Sequence, residues 1–399
     1  MSESVRPGTA TVAVLGVHGG RVPPGTEELL AGAALVAGGA RQVAALAPAG
    51  ARTLRVGAGP DDVLAAVAAD DGPAVVLASG DPGFFGIVRA LRRSVPPERL
   101  LVHPAPSSVA VAFARIGLPW DDALLVSAHA RDPRPALHTA LRHPKVAILT
   151  GPDAPPAWFA ERLRGSGRTL VVAERLGEAD ERVVTGAPEE LARAAFAEPN
   201  VVISLGPEAP AASTPSSWAL PESAFDHRAG MITKREVRAL ALAHLGPRTG
   251  DLVWDVGCGS GSVAVECARL GAAAIAIDDD PDAIGRTARN AGAHGVPLQT
   301  VEGHAPAALA DLPDPDAAFV GGGGADLDAI VDRCAARSRR AVVVTLALIE
   351  RAGPVVERLA AAGLETEATM MQSSRLLPLA GGHRLAATNP VIVVVGRRA

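Results

Sequence analysis

The stretch VWDVGCGSGSVAVECA, residues 253–268, reads as four strand-like residues, a turn with glycines at 257, 259 and 261, and then a helical pattern. In this arrangement backbone amides at a helix start face a ligand, and missing side chains let that ligand come close. On its own the turn also suits a tight strand-to-helix connection with no ligand. Its neighbours decide the matter. Position 262 is Ser, so the third glycine of the dinucleotide fingerprint GxGxxG is missing, which speaks against a nicotinamide cofactor. Asp255 stands two residues before the first glycine, where a carboxylate accepts hydrogen bonds from loop amides or a ligand ammonium and repels phosphate. Roughly 20 residues further on, Asp278 closes the next strand, where an acid suits two ribose hydroxyls. A ligand with a ribose, an amino group and no phosphate is S-adenosyl-L-methionine.

Working outward, apolar β-rich runs alternate with helical patterns in both directions. Before the turn come TVAVLG (11–16), PAVVLAS (73–79), RLLVHP (99–104), KVAILT (145–150), TLVVAE (169–174) and NVVISLG (200–206). After it come AAAIAID (272–278), PLQTVE (297–302), DAAFVG (316–321), AVVVTLA (341–347) and NPVIVVVGR (389–397). The chain is α/β. Its 399 residues exceed one ordinary core, so two domains are expected. Between Gly206 and Pro221 the alternation gives way to GPEAPAASTPSSWALP, a connector rich in proline and serine. The spacing predicts a first domain over 1–206, a linker over 207–221 and a second domain over 222–399, near whose start lies the helix KREVRALALAHL (234–245).

A net charge of −5, 3% aromatic residues and no tyrosine leave neither the attraction nor the stacking platforms that nucleic acid needs. No apolar run approaches the ~20 residues of a membrane span. The start MSESVRPGTATVAVLG enters a strand-like run without a longer apolar segment before a cleavage site. Three cysteines, Cys258, Cys267 and Cys334, lack metal-type pairing. These features predict a cytoplasmic chain with no disulfide frame and no metal site.

The second half resembles the decarboxylating methyltransferase domain of cobalamin biosynthesis. The likeness rests on HRAGMITKREVRALALAHL, LVWDVGCGSGSVAVECARL, AIDDDPDAI, GHAPAAL, PDAAFVGGGG and the closing NPV, over about residues 222–399. MITKREVR together with WDVGxGSGS is more specific than the glycine loop alone. The resemblance implies a cofactor site lined by Thr233, Gly257, Cys258, Gly259, Ser260, Gly261, Asp278 and Ala305, to which the reading of the turn adds Asp255. Two departures stand out. The family usually has an acid in its GDAP motif where this chain has His304, and an Asn-Ala-Val-Thr-Leu-Glu run where this chain has VTLALIE (344–350).

The first half, through VLGVHGG, SGDPGFFG, PSSVAVAFARIGLPWDD, SAHAR and AERLGEADERV, resembles the tetrapyrrole methylase family over about residues 10–206. That resemblance implies cofactor contacts at Gly16, Gly80, Asp81, Pro82, Ser107 and Ser108, with Thr150 a looser candidate. His18 stands where the family more often has Gly or Pro. Together the resemblances imply a tetrapyrrole methylase-like domain followed by a Rossmann-like class I methyltransferase domain, with two S-adenosyl-L-methionine sites. The implied reaction methylates a tetrapyrrole at carbons 5 and 15 and removes carbon dioxide from the ring C acetate, the first domain serving carbon 5. A homo-oligomer is also expected.

Such a substrate carries many carboxylates, so each cleft should be locally basic, with arginine favoured for bidentate contacts. Candidates are Arg131, Lys234, Arg235, Arg375 and Arg384, with His129 and His304 as further pocket residues. No catalytic base is assigned, because methyl transfer from a sulfonium depends chiefly on near-attack geometry. Three rivals remain. Ser262 and Asp255 oppose a nicotinamide oxidoreductase. FVGGGG, where a nucleic-acid methylase would carry an Asn-Pro-Pro-Tyr-type motif, opposes that class. His18 keeps open a first domain that only binds or dimerises.

Overall fold

The computed structural model describes residues 11–57, 61–206, 217–228 and 231–398, so 207–216 of the expected linker lie outside the described residues. Two compact units emerge: residues 1–131 with 145–205, and residues 132–144 with 206–399.

In the first unit, β1 (Val12–Val17), β2 (Leu35–Gly38), β3 (Arg52–Arg55), β4 (Ala74–Ser79) and β5 (Leu100–His103) form a parallel sheet in the order β3-β2-β4-β1-β5. A second sheet, in the order β6-β7-β10-β8-β9, joins β6 (Leu124–Ser127), β7 (Lys145–Leu149), β8 (Thr169–Glu174), β9 (Arg182–Gly186) and β10 (Asn200–Leu205). Only β6 and β7 run parallel there; the other pairs are antiparallel. Every residue of β1 is buried, as expected of a central parallel strand covered on both faces.

The second unit holds β11 (Leu252–Val256), β12 (Ala273–Asp278), β13 (Gln299–Glu302), β14 (Ala317–Val320), β15 (Ala341–Leu346), β16 (Glu365–Met371), β17 (Ser374–Leu379), β18 (Gly382–Ala387) and β19 (Val391–Arg397). Its main sheet has the order β13-β12-β11-β14-β15-β19-β16, with β19 antiparallel to both neighbours, while β17 and β18 make a separate exposed hairpin. Alternate residues of β11 serve two cores. Leu252, Trp254 and Val256 pack with Ile330 and Val331, and Val253 packs with Val263 and Leu242. The chain leaves β11 toward β12 on one side and returns to β14 on the other. This reversal opens a crevice at the carboxyl ends of β11 and β14, where open α/β sheets bind their ligands.

The helix Arg235–Leu245 buries one stripe, Val237, Arg238, Ala241, Leu242 and Leu245, and ends at Gly246 in a left-handed conformation (φ +56°). The second unit also takes in the helix Arg134–Arg142. There His138 Nδ1 donates to the Gly250 carbonyl (3.0 Å) and Arg142 Nε donates to the Ala268 carbonyl (2.6 Å), both side chains being buried. Among the described residues no helix is long and apolar enough to cross a membrane.

Candidate functional site

The first unit contains a cleft of about 790 Å³ into which loops from both of its sheets project. Of the residues assigned from sequence, Gly80, Asp81, Ser107, Ser108, His129, Arg131 and Thr150 line it, as does His18. Gly80 has φ +64°, and a Cβ there would come within 3.3 Å of the Pro106 carbonyl oxygen. Asp81 Oδ1 accepts from the Gly83 amide (2.8 Å) and shapes the turn after β4. Ser107 caps the helix Ser108–Ile116, its hydroxyl accepting from the Ala110 amide (3.1 Å). His129 Nδ1 donates to the Thr150 carbonyl (3.1 Å), and Thr150 Oγ1 donates to the Asn200 carbonyl (2.8 Å).

Gly16 and Pro82 do not line the cleft. Gly16 is buried in β1, and a Cβ there would sit 2.2 Å from the Gly80 carbonyl oxygen. Buried Pro82 accepts from the Val88 amide (3.2 Å). The imidazole of His18 lies against Gly177, where a Cβ would be 2.6 Å from His18 Cε1, so the glycine makes room for a histidine in this loop. Sequence reasoning missed the strained backbone around the cleft. Phe85 (φ +51°), Ala130 (φ +52°) and Arg175 (φ +50°) all adopt left-handed conformations that such side chains seldom take. Such angles carry no sequence signal at non-glycine positions.

In the second unit the turn after β11 is left-handed at Gly257 (φ +70°), Gly259 (φ +57°) and Gly261 (φ +67°). Two of these glycines yield to protein. A Cβ on Gly257 would lie 2.9 Å from the Gly322 nitrogen, and one on Gly261 would lie 2.4 Å from Thr287 Cγ2. The third yields to open space, for a Cβ on Gly259 meets nothing within 4 Å. Asp278, at the end of β12, accepts from the Gly259 amide through Oδ2 (2.9 Å) and from the Asp280 amide through Oδ1 (3.0 Å).

Asp255 lies under the turn, 1% exposed. Its Oδ2 accepts from the Ala264 amide (2.9 Å), and Oδ1 has no partner among the described residues. Burial pushes its carboxyl up to about 7, opposed by the Ala264 amide and reinforced by the Asp278 charge. Cys258 is buried with Sγ 3.4 Å from Thr287 Oγ1, and burial holds its thiol far above the usual range, so it is packing rather than a nucleophile. Ser260 is buried, its carbonyl accepting from Asn290 Nδ2 (2.8 Å).

Around the turn, His304 stands exposed between two carboxylates, with Nδ1 2.8 Å from Asp279 and Nε2 3.1 Å from Asp326, and these bonds raise its pKa. Ala305 packs against the core beside it. Thr233 offers its carbonyl to Arg238 Nη1 (2.7 Å). Lys234 is the residue before the helix that Arg235 opens. Arg375, on β17, is committed to Glu222 (2.7 Å) and Glu236 (3.0 Å), and Arg384 is exposed on β18.

A second feature escaped the sequence reading. Arg238 and Glu266, both wholly buried, pair at 3.4 Å. Glu266 also accepts from the Ala219 (3.2 Å) and Leu220 (2.7 Å) amides, and Arg238 also donates to the Leu220 carbonyl. The pair ties the segment leading to Thr233 onto the helix that follows the glycine turn. Its trace in the sequence is an arginine on the apolar stripe of REVRALALAHL.

The fold and these loops match two family models. Residues 21–192 match the tetrapyrrole (corrin/porphyrin) methylases, and residues 223–397 match the precorrin methyltransferase domain. These define the class, a tetrapyrrole methylase domain followed by a precorrin methyltransferase domain. The chain is 44% identical over 274 residues to a precorrin-6Y C(5,15)-methyltransferase [decarboxylating] of Sinorhizobium sp, covering 66% of this chain and 65% of that protein. It is 37% identical over 182 residues to a probable cobalt-precorrin-6B C(15)-methyltransferase (decarboxylating) of Pyrobaculum calidifontis, covering 44% of this chain and 93% of the relative. The crystal structure of the C-terminal domain of precorrin-6Y C5,15-methyltransferase from Rhodobacter capsulatus is 37% identical, with 47% of this chain and all of that one covered (100%) and a TM-score of 0.42. The chain belongs to the family of decarboxylating precorrin methyltransferases. The match spans slightly less than two thirds of the Sinorhizobium relative's own length.

Proposed function

We propose that this chain methylates a precorrin macrocycle at carbons 5 and 15 and removes the ring C acetate carboxyl as carbon dioxide. In this reading the domain 1–206 serves carbon 5, and the domain 222–399 serves carbon 15 and the decarboxylation. Each domain holds one S-adenosyl-L-methionine, which supplies an electrophilic methyl group. The observation that carries the reading is the presence, in one chain of this family, of a loop-lined cleft in the first unit and a bare glycine turn at a sheet reversal in the second.

The residues fit that cofactor. Open space beside Gly259 admits a ligand against the backbone. Asp278 spends one lone pair of each oxygen on the loop and keeps others for ribose hydroxyls. Asp255 braces the start of the helix from below. In the first unit Gly80, Asp81, Ser107 and Ser108 form the matching wall. The protein's task at both sites is to hold a macrocycle carbon in line with the methyl group and to keep water away. When the acetate loses carbon dioxide, the bonding pair enters the conjugated ring and a proton is then taken up. The chain is read as a cytoplasmic homo-oligomer acting on a small tetrapyrrole, without nucleic-acid or membrane partners. The exposed leucines of the hairpin, Leu376, Leu377, Leu379 and Leu385, support self-association.

Product mass tests the division of labour. An Asp81→Ala chain should yield a product lighter by one methylene unit that has still lost carbon dioxide. A Gly259→Arg chain should at most methylate carbon 5 and keep the acetate. Release of labelled carbon dioxide by the Gly259→Arg chain would overturn the assignment.

A further inference from the structure

Three arginines line the cleft of the first unit, and their charges are spent differently. Arg41 pairs with Glu178 (2.8 Å). Arg175 pairs with Glu178 (2.6 Å) and Asp180 (2.7 Å). Arg131 has no carboxylate partner among the described residues. Its guanidinium lies over the Phe85 ring, 5.8 Å from the centroid. The backbone is strained at both ends of this contact, since Phe85 itself and Ala130, the residue before Arg131, have positive φ. A side chain held in such a conformation is kept there by its surroundings, and strain of this kind gathers at working sites. Packing does not explain Phe85. Its neighbour Phe84, also half-buried, is the one that packs against the core, and its ring meets Phe85 edge-on at 4.9 Å, while Phe85 lies on the cleft wall.

An arginine held over an aromatic face keeps its N–H groups for a planar anion, and the ring beside it offers a flat apolar surface. We propose that Arg131 and Phe85 select the substrate of the first cleft, Arg131 by binding a carboxylate at the macrocycle rim and Phe85 by supporting the adjoining ring face. This rests on the reading of the first cleft as the carbon 5 site. It adds the two side chains that recognise the substrate there, one for a rim carboxylate and one for the adjoining ring face.

Steady-state kinetics of the full chain on the precorrin substrate test the pair, with product mass reporting carbon 5 methylation separately from carbon 15 methylation and carbon dioxide release. Arg131→Gln should raise KM for carbon 5 methylation roughly ten- to hundredfold, the range of a charge-assisted hydrogen bond. It should leave kcat, the carbon 15 chemistry and S-adenosylhomocysteine affinity by calorimetry near wild type. Arg131→Lys should recover only part of the loss, because it restores the charge without the fork. Phe85→Gly should raise the same KM while leaving Tm close to wild type, since glycine accepts the positive φ that phenylalanine strains to hold.

A wild-type KM in Arg131→Gln, or a parallel loss of S-adenosylhomocysteine, would overturn the proposal. So would a Phe85→Gly chain that melts early yet keeps its KM, for the ring would then be packing only. Failure of the underlying reading looks different: Asp81→Ala would keep carbon 5 methylation, whatever the Arg131 variants do.

Discussion

In the second unit the proposed cofactor site centres on one short run, Asp255 to Gly261, whereas the cleft of the first unit draws on residues from Val17 to Val201. The short run is stiffened by acids. Asp255 braces the helix start from beneath and Asp278 grips the Gly259 amide from the next strand. The cleft is stiffened by backbone strain and paired surface charge, with Arg41, Arg175 and Glu178 along one wall. A contiguous site therefore depends on buried electrostatics, and a dispersed one on how its loops are folded.

The strongest way to break this contrast is to cut the buried pair behind the glycine turn. Arg238→Met leaves the buried Glu266 with Arg269 (3.3 Å) as its remaining cationic partner and strips the Thr233 and Leu220 carbonyls of their donor, and should destabilise the second unit by about 3–5 kcal/mol. In urea its transition should move well down while that of the first unit stays in place. Adding Glu266→Leu should recover part of the loss and no more, because the Ala219 and Leu220 amides then lack an acceptor. A full recovery would show that the pair braces nothing.

The acid beneath the turn gives the next largest effect, and it depends on pH. Asp255 titrates near 7 in the folded chain against about 4 in an unfolded one. Between those values the unfolded state has released the proton that the folded state still holds, so stability must fall as pH rises through the window, with a limiting slope of about 1.4 kcal/mol per unit. Asp255→Asn should lack this fall. The stability difference between the two proteins should grow from pH 4 to 7 in favour of Asn and level off above it. Parallel curves would mean that Asp255 is ionised throughout.

The smallest change sharpens the comparison glycine by glycine. Gly16→Ala forces a Cβ onto the Gly80 carbonyl oxygen and should cost about 1–3 kcal/mol of stability in the first unit. Gly259→Ala meets open space and should cost only about 1–2 kcal/mol for its positive φ, yet lower S-adenosylhomocysteine affinity in the second unit. Equal affinity in Gly259→Ala and wild type would place the ligand elsewhere.

The fold was most legible in the longer strands that are buried on both faces. Runs such as VWDV and TLVVAE are continuous apolar segments because helices cover both faces, and their strands fall within a residue or two of the predicted spans. Most strands that sequence reading missed lack this imprint; the exception is β2, wholly buried but only four residues long and closed by a glycine. The four-residue β3 is mostly exposed, and β17 and β18 carry almost no buried residue. The glycine turn was readable because Asp255, three glycines and Asp278 follow one another in order. Arg131 could be nominated from charge alone, but its Phe85 partner could not, because a left-handed phenylalanine 46 positions away leaves no periodicity to detect.

The helix Arg134–Arg142 sets a timetable for synthesis. It leaves the ribosome long before the sheet it packs beside, for Arg142 and its acceptor Ala268 are 126 positions apart. At roughly 5–20 residues per second that gap lasts about 6–25 s. Throughout that interval Ala136, Leu137 and Ala140 have no finished core to enter, and the Arg142 guanidinium has no carbonyl to meet. A nascent chain paused before residue 268 should therefore display this segment to chaperones and proteases, and one released beyond it should hide it.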